Sequence, residues 1–309
     1  MAPQLLWIGL GNMGRGMCRN IVEKAALDGL PLLLHNRTPQ RAIDLKASLP
    51  DGKAEVVTDL AQGVAKADVI FTCVANDAVV QETLDAAVAS GNIKGKLFID
   101  CSTIHPDTTE SVSKKIIEQG AEFVAAPIFG PPAAADAGTL VAVLAGPRPS
   151  VERARPYFKG VTSRAEINMA DRPPQTALTL KVIGNTFIVN MIEQLAEGHV
   201  LAEKSGLGTD YLHQFVEHVF PGAYTAYSQR MLTGDYHKRE EPLFAVDLAR
   251  KDAGHALAIA KKAGTRLPNV EAADAHLAQV KEHSGAKGDI AGIYGAVRKE
   301  AGLKFENTA

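Results

Sequence analysis

The sequence predicts an α/β fold: an N-terminal Rossmann-type, doubly wound parallel sheet followed by an all-helical C-terminal domain. Three observations point there. Through the first half, short apolar runs alternate with amphipathic stretches. Beyond Asp171-Arg172-Pro173-Pro174 the strand patterns stop and long helical ones take over. The first apolar run leads straight into Gly9-Leu10-Gly11-Asn12-Met13-Gly14, a glycine-rich strand-to-helix turn.

The candidate strands are 5–10, 30–34, 56–57, 69–74, 97–100, 122–125 and 140–145. They are near-continuous apolar runs rather than alternating, as expected of parallel strands covered by helices on both faces. Amphipathic stretches at 13–26, 41–48, 79–89 and 108–119 supply those helices. The pattern changes around 155–169, and the domain boundary is expected at 166/167, giving domains 1–166 and 167–309. Asp171 resembles an N-cap, with two prolines in the first turn, where a missing N–H does little harm. The helix that follows runs roughly 175–205, ends at Gly206-Leu207-Gly208, and is long enough to serve both domains. Further helices fit 210–219, 224–232, 244–263, 269–283 and 289–301, and no internal repeat is evident.

At 309 residues the chain has ample length for a buried core in each domain. A net charge of −2 gives no basic footprint for nucleic acid or anionic lipid, so small molecules are the expected partners. No apolar stretch is long enough to span a bilayer. The apolar start Leu5-Leu6-Trp7-Ile8 lacks a basic n-region and reads as a first strand rather than a leader, which makes a cytoplasmic protein the expectation. Cys18, Cys73 and Cys101 are far apart in sequence, form no metal or redox spacing, and read as small buried apolar residues. The nine histidines make no ligand spacing either; His199 with Glu203, and His213 with His218, are surface or core residues, and no metal is expected.

In a G-x-G-x-x-G turn the first glycine makes the bend and the second lets a pyrophosphate approach the backbone. The third lets helix and strand pack closely. The helix N-terminus behind it offers N–H groups and a positive dipole end. This assigns Gly9, Leu10, Gly11, Asn12, Met13 and Gly14 to a dinucleotide. The second strand selects between cofactors. Where an NAD site carries Asp or Glu for the ribose 2′-hydroxyl, this chain has Asn36-Arg37-Thr38. A cation and a hydroxyl suit a 2′-phosphate, so NADP(H) is the expected cofactor. The fourth strand ends at Cys73-Val74-Ala75, small residues that let a nicotinamide ribose lie close.

Further segments resemble the β-hydroxyacid dehydrogenase family, which is related to 6-phosphogluconate dehydrogenase and the imine reductases. Met13-Gly14 is the family's favoured ending of the glycine turn. Asp100-Cys101-Ser102-Thr103-Ile104-His105-Pro106 is similar to its D-x-S-T-x-x-P. Ala126-Pro127-Ile128-Phe129-Gly130, continuing to Gly138-Thr139-Leu140, resembles A-P-V-S-G-G…G-T-L. Lys181-Val182-Ile183-Gly184-Asn185 matches K-x-x-x-N, and Phe244…Leu248-Ala249-Arg250-Lys251-Asp252 echoes F-x-x-x-L-x-x-K-D. These segments span nearly the whole chain in the family's order.

The resemblance implies hydride transfer between NADP(H) and a small carbonyl or hydroxy compound. Lys181 would be the acid/base and Asn185 would orient substrate or lysine. Ser102 and Gly130 would contact substrate, with Phe129 beside them, and Thr103 and Lys251 the cofactor. Family relatives associate through the helical domain, and the apolar helix residues Phe215, Val216, Val219 and Phe220 fit a homodimer. Lys181 and Asn185 are one helical turn apart and share a face. The neighbouring Leu178, Leu180, Val182, Ile183 and Phe187 imply apolar surroundings, in which an ammonium gives up its proton more readily.

Two departures bear on the substrate. Phe129-Gly130-Pro131, followed by Pro132, stands where the family has S-G-G, so a hydroxyl and a backbone N–H are lost. Gln175 and Ala177 stand where glycines usually precede the lysine. A bulkier, more apolar pocket is therefore expected. Two other activities compete with this reading. An imine reductase would usually carry Asp or Tyr in place of Lys181, and a non-catalytic NADP-binding scaffold would have lost the lysine.

Overall fold

The computed structural model describes residues 2–308. The chain forms two compact units, Met1–Lys181 and Val182–Ala309.

The first unit is built on a nine-stranded sheet. Strands β1 (Leu5–Ile8), β2 (Leu32–His35), β3 (Ala54–Val56), β4 (Val69–Thr72), β5 (Leu97–Asp100) and β6 (Glu122–Ala125) are all parallel, in the order β3-β2-β1-β4-β5-β6. That is the doubly wound order, with its crevice where the winding reverses between β1 and β4. Helices α1 (Asn12–Lys24), α2 (Pro39–Ala47), α3 (Leu60–Lys66), α4 (Asp77–Ala89) and α5 (Pro106–Glu118) connect the strands.

The apolar residues of these strands separate onto two faces. Leu5, Trp7, Leu32, Leu34, Phe71 and Ile99 join one core, whereas Leu6, Ile8, Leu33, Ile70 and Phe98 join the other. Each such side chain is at most 3% exposed, a burial that contributes about 1.5–3 kcal/mol per large residue. Trp7 stacks on Phe71 at 5.1 Å and donates from Nε1 to the Gly9 carbonyl, 2.8 Å away. The largest side chain in the core therefore also braces the glycine turn.

Past β6 the sheet departs from the all-parallel pattern. β7 (Ile128–Phe129) and β8 (Leu140–Gly146) pair antiparallel, β8 lies antiparallel to β6, and β9 (Ser163–Ala170) runs parallel to β8. Short helices α6 (Pro132–Ala137) and α7 (Arg148–Ala154) fill the connections. β7, β9, α3, α6 and α7 are not among the elements expected from the sequence. β7 has two residues, and β9 reads Ser-Arg-Ala-Glu-Ile-Asn-Met-Ala because much of it is exposed. The boundary expected at 166/167 falls inside β9, and Ala177 and Leu178 still pack on the sheet, which carries the first unit to Lys181.

Asp171 does not cap the helix that follows it; its carboxylate instead reaches the first residue of α7. It sits at φ +67 and accepts a hydrogen bond from the Arg148 backbone N–H at 2.9 Å while pairing with the Arg148 guanidinium. Its carboxyl is held below the usual range by that backbone bond and then by the guanidinium. The helix α8 starts four residues later and is continuous over Gln175–Lys204.

The second unit consists of the rest of α8 with α9 (Thr209–Val219), α10 (Ala223–Leu232), α11 (Asp235–Lys238), α12 (Val246–Lys262), α13 (Pro268–Ser284) and α14 (Ile293–Glu300). Its core gathers Ile192, Leu195, Met231, Tyr236, Val270, Leu277, Ile293 and Tyr294. An ionic triad ties three helices: His276 of α13 meets Glu193 of α8 at 2.7 Å and Glu300 of α14 at 3.2 Å. The hydrogen bond to Glu193 above all, then that to Glu300, raises the His276 pKa to about 9 against the opposing effect of burial. Among the described residues, no helix is long and apolar enough to cross a membrane.

Candidate active site

The three glycines of the turn meet different surroundings. Gly9 has φ +99, and a Cβ there would lie 2.3 Å from the Cys73 carbonyl oxygen. At Gly14 a Cβ would lie 2.2 Å from the Gly9 carbonyl oxygen, because α1 leaves β1 at such close range. At Gly11 it would meet nothing within 4 Å. The first and third glycines thus serve the fold, while the second keeps an open face above the N-terminus of α1. Gly11 is the N-cap of that helix and has no capping side chain, so its first-turn N–H groups suit a phosphate. Asn12 is exposed and Met13 half-buried beside it. These residues fit a dinucleotide.

Leu10 is fully buried, and its N–H donates to Asn36 Oδ1 at 2.9 Å. Asn36 in turn donates to the Thr38 carbonyl at 2.9 Å. Asn36, expected to contact the cofactor, also fastens the glycine turn to the end of β2. Arg37 and Thr38 follow it, both exposed at the start of α2.

Cys73, Val74 and Ala75 leave the carboxyl end of β4, with Cys73 and Val74 half-buried and Ala75 exposed. Cys73, Cys18 and Cys101 converge on one apolar cluster despite their separation in sequence. Burial, with a contribution from Asp100, pushes the Cys73 thiol up to about 12, and burial also raises the other two. Such thiols are poor nucleophiles. Among the described residues no group of three or more His, Cys, Asp or Glu is arranged to hold a metal ion.

Ser102 is 2% exposed, its hydroxyl oxygen accepting from the Val74 N–H at 3.0 Å and its own N–H donating to Asp100 Oδ1 at 3.2 Å. The hydroxyl is thus tied to the end of β4, and Thr103 is half-buried beside it. Asp77 locks this corner by accepting from the His105 N–H at 2.8 Å and the Thr108 hydroxyl at 2.7 Å. Gly130 adopts φ +138 where β7 turns into α6, and a Cβ there would lie 2.8 Å from Leu140 Cδ2. Pro131 is the N-cap of α6 and Pro132 its first residue.

Lys181 is 8% exposed, and its Nζ stands 4.3 Å from the centre of the half-buried Phe129 ring. Leu178 and Val182 flank it fully buried, but Ile183 and Phe187 are 46% and 74% exposed. The apolar surroundings expected for the lysine therefore come from one side of the helix only.

In the second unit, Asn185 donates from Nδ2 to Asp252 Oδ2 at 2.7 Å. Lys251 pairs with the other carboxylate oxygen at 3.2 Å. Asp252, 6% exposed, thus joins two residues that the sequence had singled out. It had no role in the sequence reading, although it closes the Lys251-Asp252 pair of the late motif. A small cavity beside it is lined by Asn185, Val189, Phe244, Ala253 and Ile290.

A family model for the NAD binding domain of 6-phosphogluconate dehydrogenase matches residues 4–170. A second, described as NAD-binding of NADP-dependent 3-hydroxyisobutyrate dehydrogenase, matches residues 176–297. An NADH-dependent oxidoreductase of Aspergillus ustus is 36% identical over 294 residues, covering 95% of this chain and 98% of that one. A 3-sulfolactaldehyde reductase of Escherichia coli is 28% identical over 308 residues, 97% of each. The structure of a 3-hydroxyisobutyrate dehydrogenase from Mycobacterium tuberculosis shares the fold at TM-score 0.79 and 24% identity, covering 96% of this chain and all of that one. The chain belongs to the β-hydroxyacid dehydrogenase family of NAD(P)-dependent oxidoreductases, which act on hydroxyl or carbonyl substrates.

Proposed function

We propose that this protein is an NADP(H)-dependent reductase or dehydrogenase of small carbonyl and hydroxy compounds, with Lys181 as its general acid/base. The observation that carries the reading is the burial of Lys181, 8% exposed in the unit that also holds the glycine turn. Lysine is almost never buried without a reason, and a proton to deliver out of bulk water is one.

When bound, the dihydronicotinamide supplies a hydride to the carbonyl carbon. The C=O π pair then becomes a lone pair on oxygen, and the Lys181 ammonium transfers a proton to it, leaving a neutral amine that solvent reprotonates. Alcohol oxidation runs the same steps backwards. Asn185, held by Asp252, orients substrate or lysine, and Ser102, Phe129 and Gly130 contact the substrate. Gly9, Leu10, Gly11, Asn12, Met13 and Gly14 hold the pyrophosphate, with Asn36 bracing the turn. Arg37 and Thr38 take the 2′-phosphate, and Cys73, Val74, Ala75, Thr103 and Lys251 complete the cofactor contacts.

The substrate we infer is an aldehyde or ketone with an apolar body. Phe129 and Pro131 remove a hydroxyl and an N–H that would serve a carboxylate, and an under-paired carboxylate loses several kcal/mol, on the order of 2–7 for a buried polar group. The Aspergillus relative is named for NADH, which supports a second reading on cofactor choice alone.

The protein is read as a cytoplasmic homodimer. Phe187, Leu201, Tyr211, Phe215 and Val219, each more than half exposed on α8 and α9, suit an interface with a second copy. Turnover of NADPH and NADH against a panel of aldehydes, ketones, keto acids and cyclic imines tests the activity. Reduction of carbonyls with NADPH supports the reading; reduction of imines alone, or of nothing, contradicts it.

A further inference from the structure

Position 129 is where the family pattern has serine, so the aromatic ring against Lys181 belongs to this chain's own design. The ring is firmly held. Its backbone pairs with β8 through Phe129↔Val141, and Gly130 turns the chain immediately after it. Behind, the side chain packs on the apolar cluster containing Val143, Ala145 and Leu178. At 4.3 Å the Lys181 Nζ lies well within the reach of a cation–π interaction.

The face of a benzene ring carries negative charge density, and it attracts an ammonium far more than a neutral amine. The attraction strengthens out of water, and Lys181 is buried. Burial by itself disfavours a charged amine. The ring restores part of the stabilisation that water would have given, and it does so from a fixed direction. A serine hydroxyl at this position would offer a rotatable dipole instead.

We propose that Phe129 is a positioning residue for Lys181, its π face holding the proton-bearing ammonium in the place from which the proton is delivered. The proposal rests on Lys181 being the acid.

The test replaces Phe129 by leucine, tyrosine and tryptophan, and by phenylalanines of increasing ring fluorination, which weakens the π face while nearly preserving shape. Carbonyl reduction and NADPH affinity are measured for each. Phe129→Leu is expected to lose about tenfold in kcat with cofactor Kd unchanged, and Tyr or Trp to recover most of it. Across the fluorinated series kcat is expected to fall stepwise. A flat or rising series, or full kcat in Phe129→Leu, overturns the proposal. Lys181→Met, measured alongside, separates the two readings: if it retains turnover, the acid assignment itself fails, and if it is inactive while the fluorinated series is flat, only the role of Phe129 fails.

Discussion

Asn185 donates from Nδ2 to the buried carboxylate of Asp252 at 2.7 Å. A carboxylate only accepts, so the amide must turn its NH2 toward Asp252, and its Oδ1 is directed away. A residue four positions from the proposed acid is thereby given one orientation rather than two.

Asp252→Ala should remove that hold on the amide and reduce kcat by about tenfold, the worth of a hydrogen bond to a charged group. Asp252→Asn keeps an acceptor for Asn185 while removing the charge that pairs with Lys251. It should retain most of kcat and weaken cofactor binding instead. Steady-state kinetics on both variants, with cofactor titrations, check the split. Equal kcat losses would mean that charge, not orientation, is what Asp252 supplies.

The glycine turn gives a contrast between neighbouring positions. Gly14→Ala forces a Cβ to 2.2 Å from the Gly9 carbonyl oxygen, so helix and strand must separate. A loss of about 2 kcal/mol or more in unfolding free energy is expected, as for other overpacked sites. Gly11→Ala meets no protein atom within 4 Å and has an ordinary φ of −73. Its melting temperature should match the wild type while cofactor affinity falls. Unimpaired cofactor binding in Gly11→Ala would remove this turn from the proposed site.

Arg37 and Thr38 are exposed just past β2, where the sequence His35-Asn36-Arg37-Thr38 carries no Asp or Glu. NADPH should bind more tightly than NADH, and Arg37→Ala should erode the preference by about tenfold, as one charge-assisted pair is lost. Calorimetry with both cofactors measures it. Equal affinity in the unmutated protein favours the NADH reading.

The ionic triad of the second unit makes stability depend on pH. The His276 pKa is about 9 in the folded protein against an ordinary 6.5, so the contribution is complete below about 6.5 and lost as pH rises through 9. The shift corresponds to about 3 kcal/mol. At the acid end, Gln279 and then His276 hold the Glu300 carboxyl below its ordinary range, and its share is lost as pH falls through that depressed value. Denaturant unfolding of the wild type and His276→Gln between pH 6 and 10 should show a gap that closes toward pH 10. A gap independent of pH would deny the triad its charge.

Much of this was legible in the sequence because it depends on local pattern. Most of the parallel strands are apolar on both faces, and the glycine turn follows the first of them, so fold and cofactor end could be read together. β9 was not legible, because an exposed edge strand keeps Arg164, Glu166 and Asn168 and has no apolar run to betray it. Asp171 misled for a related reason: an acid before prolines resembles a cap, but its partner Arg148 lies 23 residues back. Lys181 and Asn185 were visible as a motif. Their partners Phe129 and Asp252 were named without those roles, since each contact spans more than fifty residues and only folding brings the pairs together.

The central claim is that the buried Lys181 provides the proton. Lys181→Met keeps the approximate length and apolar stem of the side chain and removes the ammonium with its proton, so its kcat for carbonyl reduction under saturating cofactor is the most direct measurement. The account predicts turnover lowered by about 100-fold or more, the usual range for losing a general acid, with cofactor Kd unchanged. Turnover near the wild-type rate would show that another group protonates the oxygen.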